Sequence, residues 1–260
     1  MTKLAIEGRA AVVTGAAAGI GRALALEAGA RGMQVAIADV NAQGLAETER
    51  MLTERQVRVL SRPLDIRDAE AVEAFAAACF ERFGSIALVW ANAGIHCYDS
   101  AIRPDLSAWN TTIDVNLRGP LHCIAAFMGR LVDRAEPARF VLTGSQGSFI
   151  AAPEIGAYVA TKHALWGIAD TLRMELAREG TKVGVSLLAP PRVATGIIAV
   201  TVERMRAQSG DAAVETFLNS IWQAGDIARF AIDAAIAGDY LIVPGNEVSE
   251  MLRTRVAPLL

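Results

Sequence analysis

The chain has 260 residues, 53% of them hydrophobic, with 25 basic against 28 acidic side chains and a net charge of −3. That length suits one α/β domain, and a charged fraction of 20% is below the roughly 25% of ordinary soluble chains, so much surface is expected to be buried in the core or in a homo-oligomer. Only three lysines and no run of five like charges exclude a basic stripe for nucleic acid, and the most apolar stretch, 183–202, is broken by Pro190, Pro191 and Arg192, so no membrane span is expected.

Residues 1–9 lack the apolar core of a secretion signal, which predicts a cytoplasmic protein. Short apolar runs at 10–14, 35–39, 57–61, 86–91, 140–143, 183–188 and 240–243 predict seven strands. Helical patterns at 19–31, 42–54, 68–82, 105–133, 156–179 and 226–237 lie between them. This alternation calls for right-handed βαβ crossovers and one doubly wound, mostly parallel Rossmann sheet with helices on both faces, spanning 1–260. The strand runs do not alternate polar with apolar, as expected where both faces are covered. An insertion at 192–223 interrupts the regular spacing. Val214, Phe217, Leu218, Ile221 and Trp222 lie there at helical apolar spacing, which suits a lid over the substrate or a helix packed on the core or on another subunit. Cys79, Cys97 and Cys123 are odd in number and lack ligand spacing, so neither disulfides nor a metal site are expected.

The first strand runs into Thr14–Gly21, with Gly15, Gly19 and Gly21 in a turn that opens a helix. Glycines there permit a tight turn and close approach to a diphosphate, which would rest on unpaired N–H groups at the helix start. Asp39 ends the second strand, where a carboxylate accepts hydrogen bonds from the adenosine ribose and repels a 2′-phosphate. No Lys or Arg stands at 16–18, and Val40 follows Asp39, so NAD is expected over NADP. Asp also caps helix starts, which is the other reading of this carboxylate.

Tyr158 and Lys162 are four apart in a helical segment and so share a face. A phenol titrates near 10, and an adjacent ammonium favours its ionised form. Ser145 follows the fifth strand, and its hydroxyl there is suited to hold a substrate oxygen while Tyr158 moves the proton, although a turn serine is equally ordinary.

With Thr14–Gly21 as TGxxxGxG, Asn92-Ala93-Gly94 after the fourth strand, Asn116, Ser145 and Tyr158-Val-Ala-Thr-Lys162, the chain resembles the short-chain dehydrogenase/reductases along nearly its whole length. The resemblance implies that Tyr158 is the acid/base, that Lys162 lowers its pKa and binds the nicotinamide ribose, that Ser145 orients the reacting oxygen and that Asn116 holds a relay water. It also implies a cofactor surface of Gly15, Ala18, Gly19, Ile20, Gly21, Asp39, Val40, Asp65, Ile66, Asn92, Ala93, Gly94, Pro190, Val193 and Thr195, together with Tyr158 and Lys162. In this surface Asp65 and Ile66 lie by the adenine and Thr195 by the carboxamide. The family's usual Pro-Gly after the sixth strand is here Pro190-Pro191, and a proline at the second position alters the backbone near the nicotinamide.

By the family's topology the substrate wall comprises Ser145, Tyr158, His96, Gln146, Phe149, Ile150, Pro153, Ile197, Ile198 and Val202. Its apolar character suits a hydrophobic or aromatic secondary alcohol or ketone, with His96 either a substrate contact or an ordinary surface histidine. The expected activity is NAD-dependent alcohol oxidation, in a tetramer or dimer. An NADPH-dependent carbonyl reductase and a non-catalytic nucleotide-sensing protein are the alternatives.

Overall fold

A computed structural model describes residues 3–194, 201–203, 205–206, 210–211, 214–215, 217–218, 221–245 and 247–257. In chain order the elements are β1 (Ala10–Thr14), α1 (Gly19–Ala30), β2 (Gln34–Asp39), α2 (Ala42–Thr53), β3 (Val59–Pro63), α3 (Ala69–Phe83), β4 (Ile86–Ala91), α4 (Leu106–Ile113), a π-helical turn (Asp114–Arg118), α5 (Gly119–Asp133), β5 (Ala138–Thr143), a 3₁₀ turn (Gln146–Ser148), α6 (Gly156–Arg178), β6 (Val183–Leu188), α7 (Ala224–Ala237), β7 (Leu241–Ile242) and α8 (Glu247–Val256).

The strands form one sheet in the order β3-β2-β1-β4-β5-β6-β7, every pair parallel. Parallel neighbours require crossover helices, and these cover both faces. One apolar layer joins the sheet to α3, α5 and α6 through Phe75, Phe80, Phe127 and Leu165; the other joins it to α1, α2 and α7 through Leu24, Leu45 and Ile232. Strands β1 and β4 are buried at every position, which is why their sequences are continuous apolar runs. The strand order reverses between β1 and β4, and the crevice at such a switch point is where ligands of doubly wound sheets bind.

Several predicted boundaries move. β3 begins at Val59 because it pairs with β2 from Val35↔Val59 to Asp39↔Pro63; Val57 instead donates its N–H to Leu52 as the closing turn of α2. Pro63 is tolerated because it ends an edge strand. The last strand contracts to Leu241–Ile242. The helix predicted over 105–133 is interrupted by the π-helical turn, a feature that periodicity does not reveal and that recurs at functional sites.

Candidate active site

Some helix starts are capped by side chains and others are open: α1, α5 and α6 have neither a side-chain cap nor an acidic residue in the first turn. Asn41, Asp68 and Asp105 cap α2, α3 and α4 with their side chains, whereas α1 begins at Ala18 with no side-chain cap and no acidic residue in its first turn. Its positive end therefore opens onto the crevice, ready for an anion. The glycines before it are dictated by close packing. Gly15 has φ +70°, and a Cβ there would lie 2.7 Å from Ala93 Cα; a Cβ on Gly21 would lie 2.0 Å from the Gly15 carbonyl oxygen. Gly21→Ala is therefore expected to lower stability by about 1–3 kcal/mol and to abolish dinucleotide binding together, checked by thermal unfolding and NADH titration.

Asp39 completes this turn. Its carboxylate accepts the Ala17 N–H at 2.9 Å and the Asn41 N–H at 2.8 Å, so it holds the glycine turn from one side and starts α2 from the other. Asn92 braces the opposite side: its N–H donates to Thr14 Oγ1 and its amide to the Thr14 carbonyl, both at 3.0 Å, while Thr143 donates to its Oδ1 at 3.3 Å. The ends of β1, β4 and β5 are thus tied through Asn92.

A continuous cavity of 1280 Å³ runs along the crevice, above the roughly 300–1,000 Å³ of a single small-ligand pocket. At one end it is bounded by Gly15, Ala18, Gly19, Ile20, Gly21, Asp39, Val40, Asp65 and Ile66. The cations nearby are engaged: Arg67 pairs with Asp65 at 2.6 Å and holds that carboxyl below its usual range, and Arg22 pairs with Glu47 at 2.7 Å. Ala93 and Gly94 bound its middle. Glycine backbone lining the crevice, an uncapped helix start and a strand-end carboxylate fit the diphosphate and ribose of a dinucleotide.

At the other end stand Ser145, Tyr158 and Lys162. Ser145 caps the 3₁₀ turn, accepting the Gly147 N–H at 3.1 Å, and Ser148 accepts the Ser145 N–H at 3.2 Å, which locks the serine's orientation. The Ser145 hydroxyl hydrogen-bonds the Tyr158 phenol. Gly147 makes this approach possible, since a Cβ there would sit 3.2 Å from Tyr158 Cε1. One helical turn on, Lys162 is 4% exposed and donates from Nζ to the Thr143 carbonyl at 2.8 Å, with Nζ 5.6 Å from the Tyr158 ring centroid. Burial pulls Lys162 down to about 8. Burial also raises Tyr158, against the smaller downward pull of the Ser145 hydrogen bond. Lys162 was expected to lower this phenol; in the protein chain by itself the desolvation of a buried phenolate is the largest effect.

Asn116 lies on the π-helical turn and is fully buried. Its Oδ1 accepts the Ile95 N–H and its Nδ2 donates to the Ile95 carbonyl, both at 2.8 Å, with Thr161 Oγ1 at 3.5 Å. The Asn116 side chain is thus committed to the loop after β4 and to α6. It does not line the cavity.

Of the expected substrate wall, His96, Gln146, Ile150 and Pro153 line the cavity. Phe149 does not: it is fully buried and stacks edge-on against Trp166 at 4.7 Å, because the 3₁₀ turn directs it down into the core beneath α6. Val202 is likewise off the wall, where Thr201, Met205 and Phe217 stand instead. Thr195, Ile197 and Ile198 lie outside the described residues. Pro190, Pro191 and Val193 line the cavity, and the chain after the two prolines is pinned to Trp222, whose N–H donates to the Arg192 carbonyl at 2.9 Å. Tyr98, Thr111, Val115 and Ile155 complete the apolar side; they carry no motif, so nothing in the sequence distinguished them from core. Among the described residues no group of His, Cys, Asp and Glu is arranged to hold a metal, and no helix is long and apolar enough to cross a membrane.

Comparison with known proteins defines the class. The family model described as short chain dehydrogenase matches residues 9–206, and the chain belongs to that family of oxidoreductases. It is 34% identical over 228 residues to 1-deoxy-11-beta-hydroxypentalenate dehydrogenase of Streptomyces exfoliatus, covering 86% of this chain and 82% of that one. Among solved structures it resembles a short chain dehydrogenase/reductase from Burkholderia phymatum in complex with NAD, with 28% identity, TM-score 0.87 and coverage of 100% and 96% of the two chains. It also resembles an actinorhodin polyketide ketoreductase variant with NADPH, with 25% identity, TM-score 0.84 and coverage of 95% and 99%.

Proposed function

We propose that this protein is an NAD-dependent dehydrogenase of a bulky, apolar secondary alcohol. The observation that carries this reading is the Ser145–Tyr158 hydrogen bond above buried Lys162, at the far end of one cavity from the Asp39 carboxylate. Gly15, Gly19 and Gly21 would receive the dinucleotide's diphosphate, Asp39 its adenosine ribose and Lys162 its nicotinamide ribose. The nicotinamide supplies the hydride acceptor. Ser145 holds the substrate oxygen, and Tyr158 exchanges the proton with that same oxygen. Asn116 positions the wall at Ile95. The apolar side of the cavity and a relative whose name specifies a hydroxylated pentalenate both support a hydrophobic ring alcohol.

Asp39 is the reader of the cofactor. Asp39→Asn keeps an oxygen to accept the Ala17 N–H but removes the charge, so NADH affinity is expected to fall about tenfold while NADPH affinity rises. A fluorescence titration of both chains with NADH and with NADPH checks this, followed by a screen of cyclic secondary alcohols. Tighter NADPH binding by the natural chain would overturn the reading.

A second reading, a carbonyl reductase, is favoured by the protonation of Tyr158. Burial raises the phenol's pKa, which favours the acid form that ketone reduction needs. Alcohol oxidation is therefore expected to accelerate with rising pH and reduction to slow, measured by initial rates in both directions. We also propose a cytoplasmic homo-oligomer, with Leu121 on α5 and Met174 on α6, 41% and 67% exposed, within its contacts; light scattering reads its mass.

A further inference from the structure

The residue after Ile95 is a histidine that the proton transfer itself does not require. The ring of His96 lies 4.7 Å from that of Tyr158 at 46° and 4.6 Å from that of Tyr98 at 61°, so three aromatic rings form one row along the cavity wall. The row is held at both ends. Asn116 clamps the backbone of Ile95, and the Tyr98 and Thr201 hydroxyls are 2.8 Å apart in a hydrogen bond. Thr201 belongs to the insertion that walls the substrate side with Met205 and Phe217. The Tyr158 ring also packs on the Gly147 turn, where a Cβ would sit 3.2 Å from Tyr158 Cε1. Burial lowers the imidazole's pKa, which favours the uncharged ring packed against the phenol's ring.

We infer that His96 is a positioning residue for Tyr158, and that the row Tyr98–His96–Tyr158 couples the seat of Thr201 to the orientation of the acid/base. The physical reason is contact: in a close-packed wall, a ring in contact with a turn and with a neighbouring ring is reoriented when that neighbour moves. A substrate that shifts residue 201 therefore shifts Tyr98, then His96, then the phenol that must meet the reacting oxygen. The functional meaning of this coupling rests on Tyr158 being the acid/base.

The test needs neither substrate nor cofactor, because the chain has three tyrosines. Whole protein labelled with 3-fluorotyrosine yields fluorine NMR resonances for Tyr98, Tyr158 and Tyr240, assigned by single Tyr→Phe changes. Thr201→Val is expected to move the Tyr98 and Tyr158 resonances and leave Tyr240 in place. In the His96→Ala background the same change leaves Tyr158 unmoved, and in His96→Phe, which restores a ring, the shift at Tyr158 returns. Tyr98→Phe, which removes only a hydroxyl, reproduces the Tyr158 shift of Thr201→Val and serves as the second arm if His96→Ala fails to fold. A Tyr158 resonance indifferent to both Thr201→Val and Tyr98→Phe, or equally responsive with His96→Ala, overturns the inference. Failure of the acid/base reading is a separate result: it shows as retained turnover in Tyr158→Phe, with these shifts intact.

Discussion

Tyr158→Phe is expected to lower turnover of a secondary alcohol by about 10²–10⁴-fold while NADH binding stays within about twofold and the fold is unchanged. The substitution removes one oxygen atom. The ring keeps its contacts with His96 and with the Gly147 turn, and the Ser145 hydroxyl loses its phenol partner but keeps the Gly147 N–H. Nothing at the glycine turn or at Asp39 touches this group, so binding and chemistry separate cleanly. Stopped-flow hydride transfer and an NADH titration on the same preparation make the measurement. Turnover equal to the natural chain would eliminate Tyr158 as the acid/base, and a parallel loss of binding would show the substitution acting through structure.

Lys162→Met is expected to cut turnover about a hundredfold and, independently, to change how stability depends on pH. An ammonium that is 4% exposed, with one backbone carbonyl as its hydrogen-bond partner, is costly to bury. The folded chain releases that proton at about 8, against 10.5 for the free side chain. Between these values the unfolded chain binds more protons than the folded one, so the lysine's destabilisation, fully present below pH 8, is relieved as pH rises to 10.5. The relief amounts to about 3 kcal/mol. The buried Cys79 and Cys123 titrate in both chains and cancel in the difference. Denaturant unfolding of the two chains without cofactor at pH 7, 8, 9 and 10.5 reads this difference, and parallel curves would show Lys162 to be solvated as an ordinary lysine. A functional site that retains such a group carries a stability cost for the position of its charge.

The arrangement of Ser145, Tyr158 and Lys162 illustrates how a candidate site can be legible where energetics are not. Their spacing is local and helical, so a linear reading places two of them on one face of α6 and the third on the turn after β5. The direction of the phenol's titration is different in kind. It depends on how completely α6, the 3₁₀ turn and the loop after β4 exclude water, and no residue type announces that. The same distinction separates Ile150, which reaches the cavity, from Phe149 beside it, which is turned into the core against Trp166. A 3₁₀ turn changes side-chain direction at each step, and a chain read as alternating apolar positions does not encode which neighbour faces the ligand.

The sequence by itself determined the parallel doubly wound sheet, the glycine turn, the strand-end carboxylate and the Ser-Tyr-Lys set, because each is written in short-range spacing: continuous apolar strand runs, glycines within one turn, side chains four apart on a helix. Tertiary structure alone decided the rest. It broke the long helix at Asp114–Arg118 so that Asn116 reaches the backbone of Ile95. It brought Tyr98, His96 and Tyr158 into one row with Thr201, about a hundred residues from Tyr98 along the chain, and it buried the phenol. These outcomes depend on long-range packing and desolvation, which are properties of the closed interior and have no counterpart in the linear order of residues.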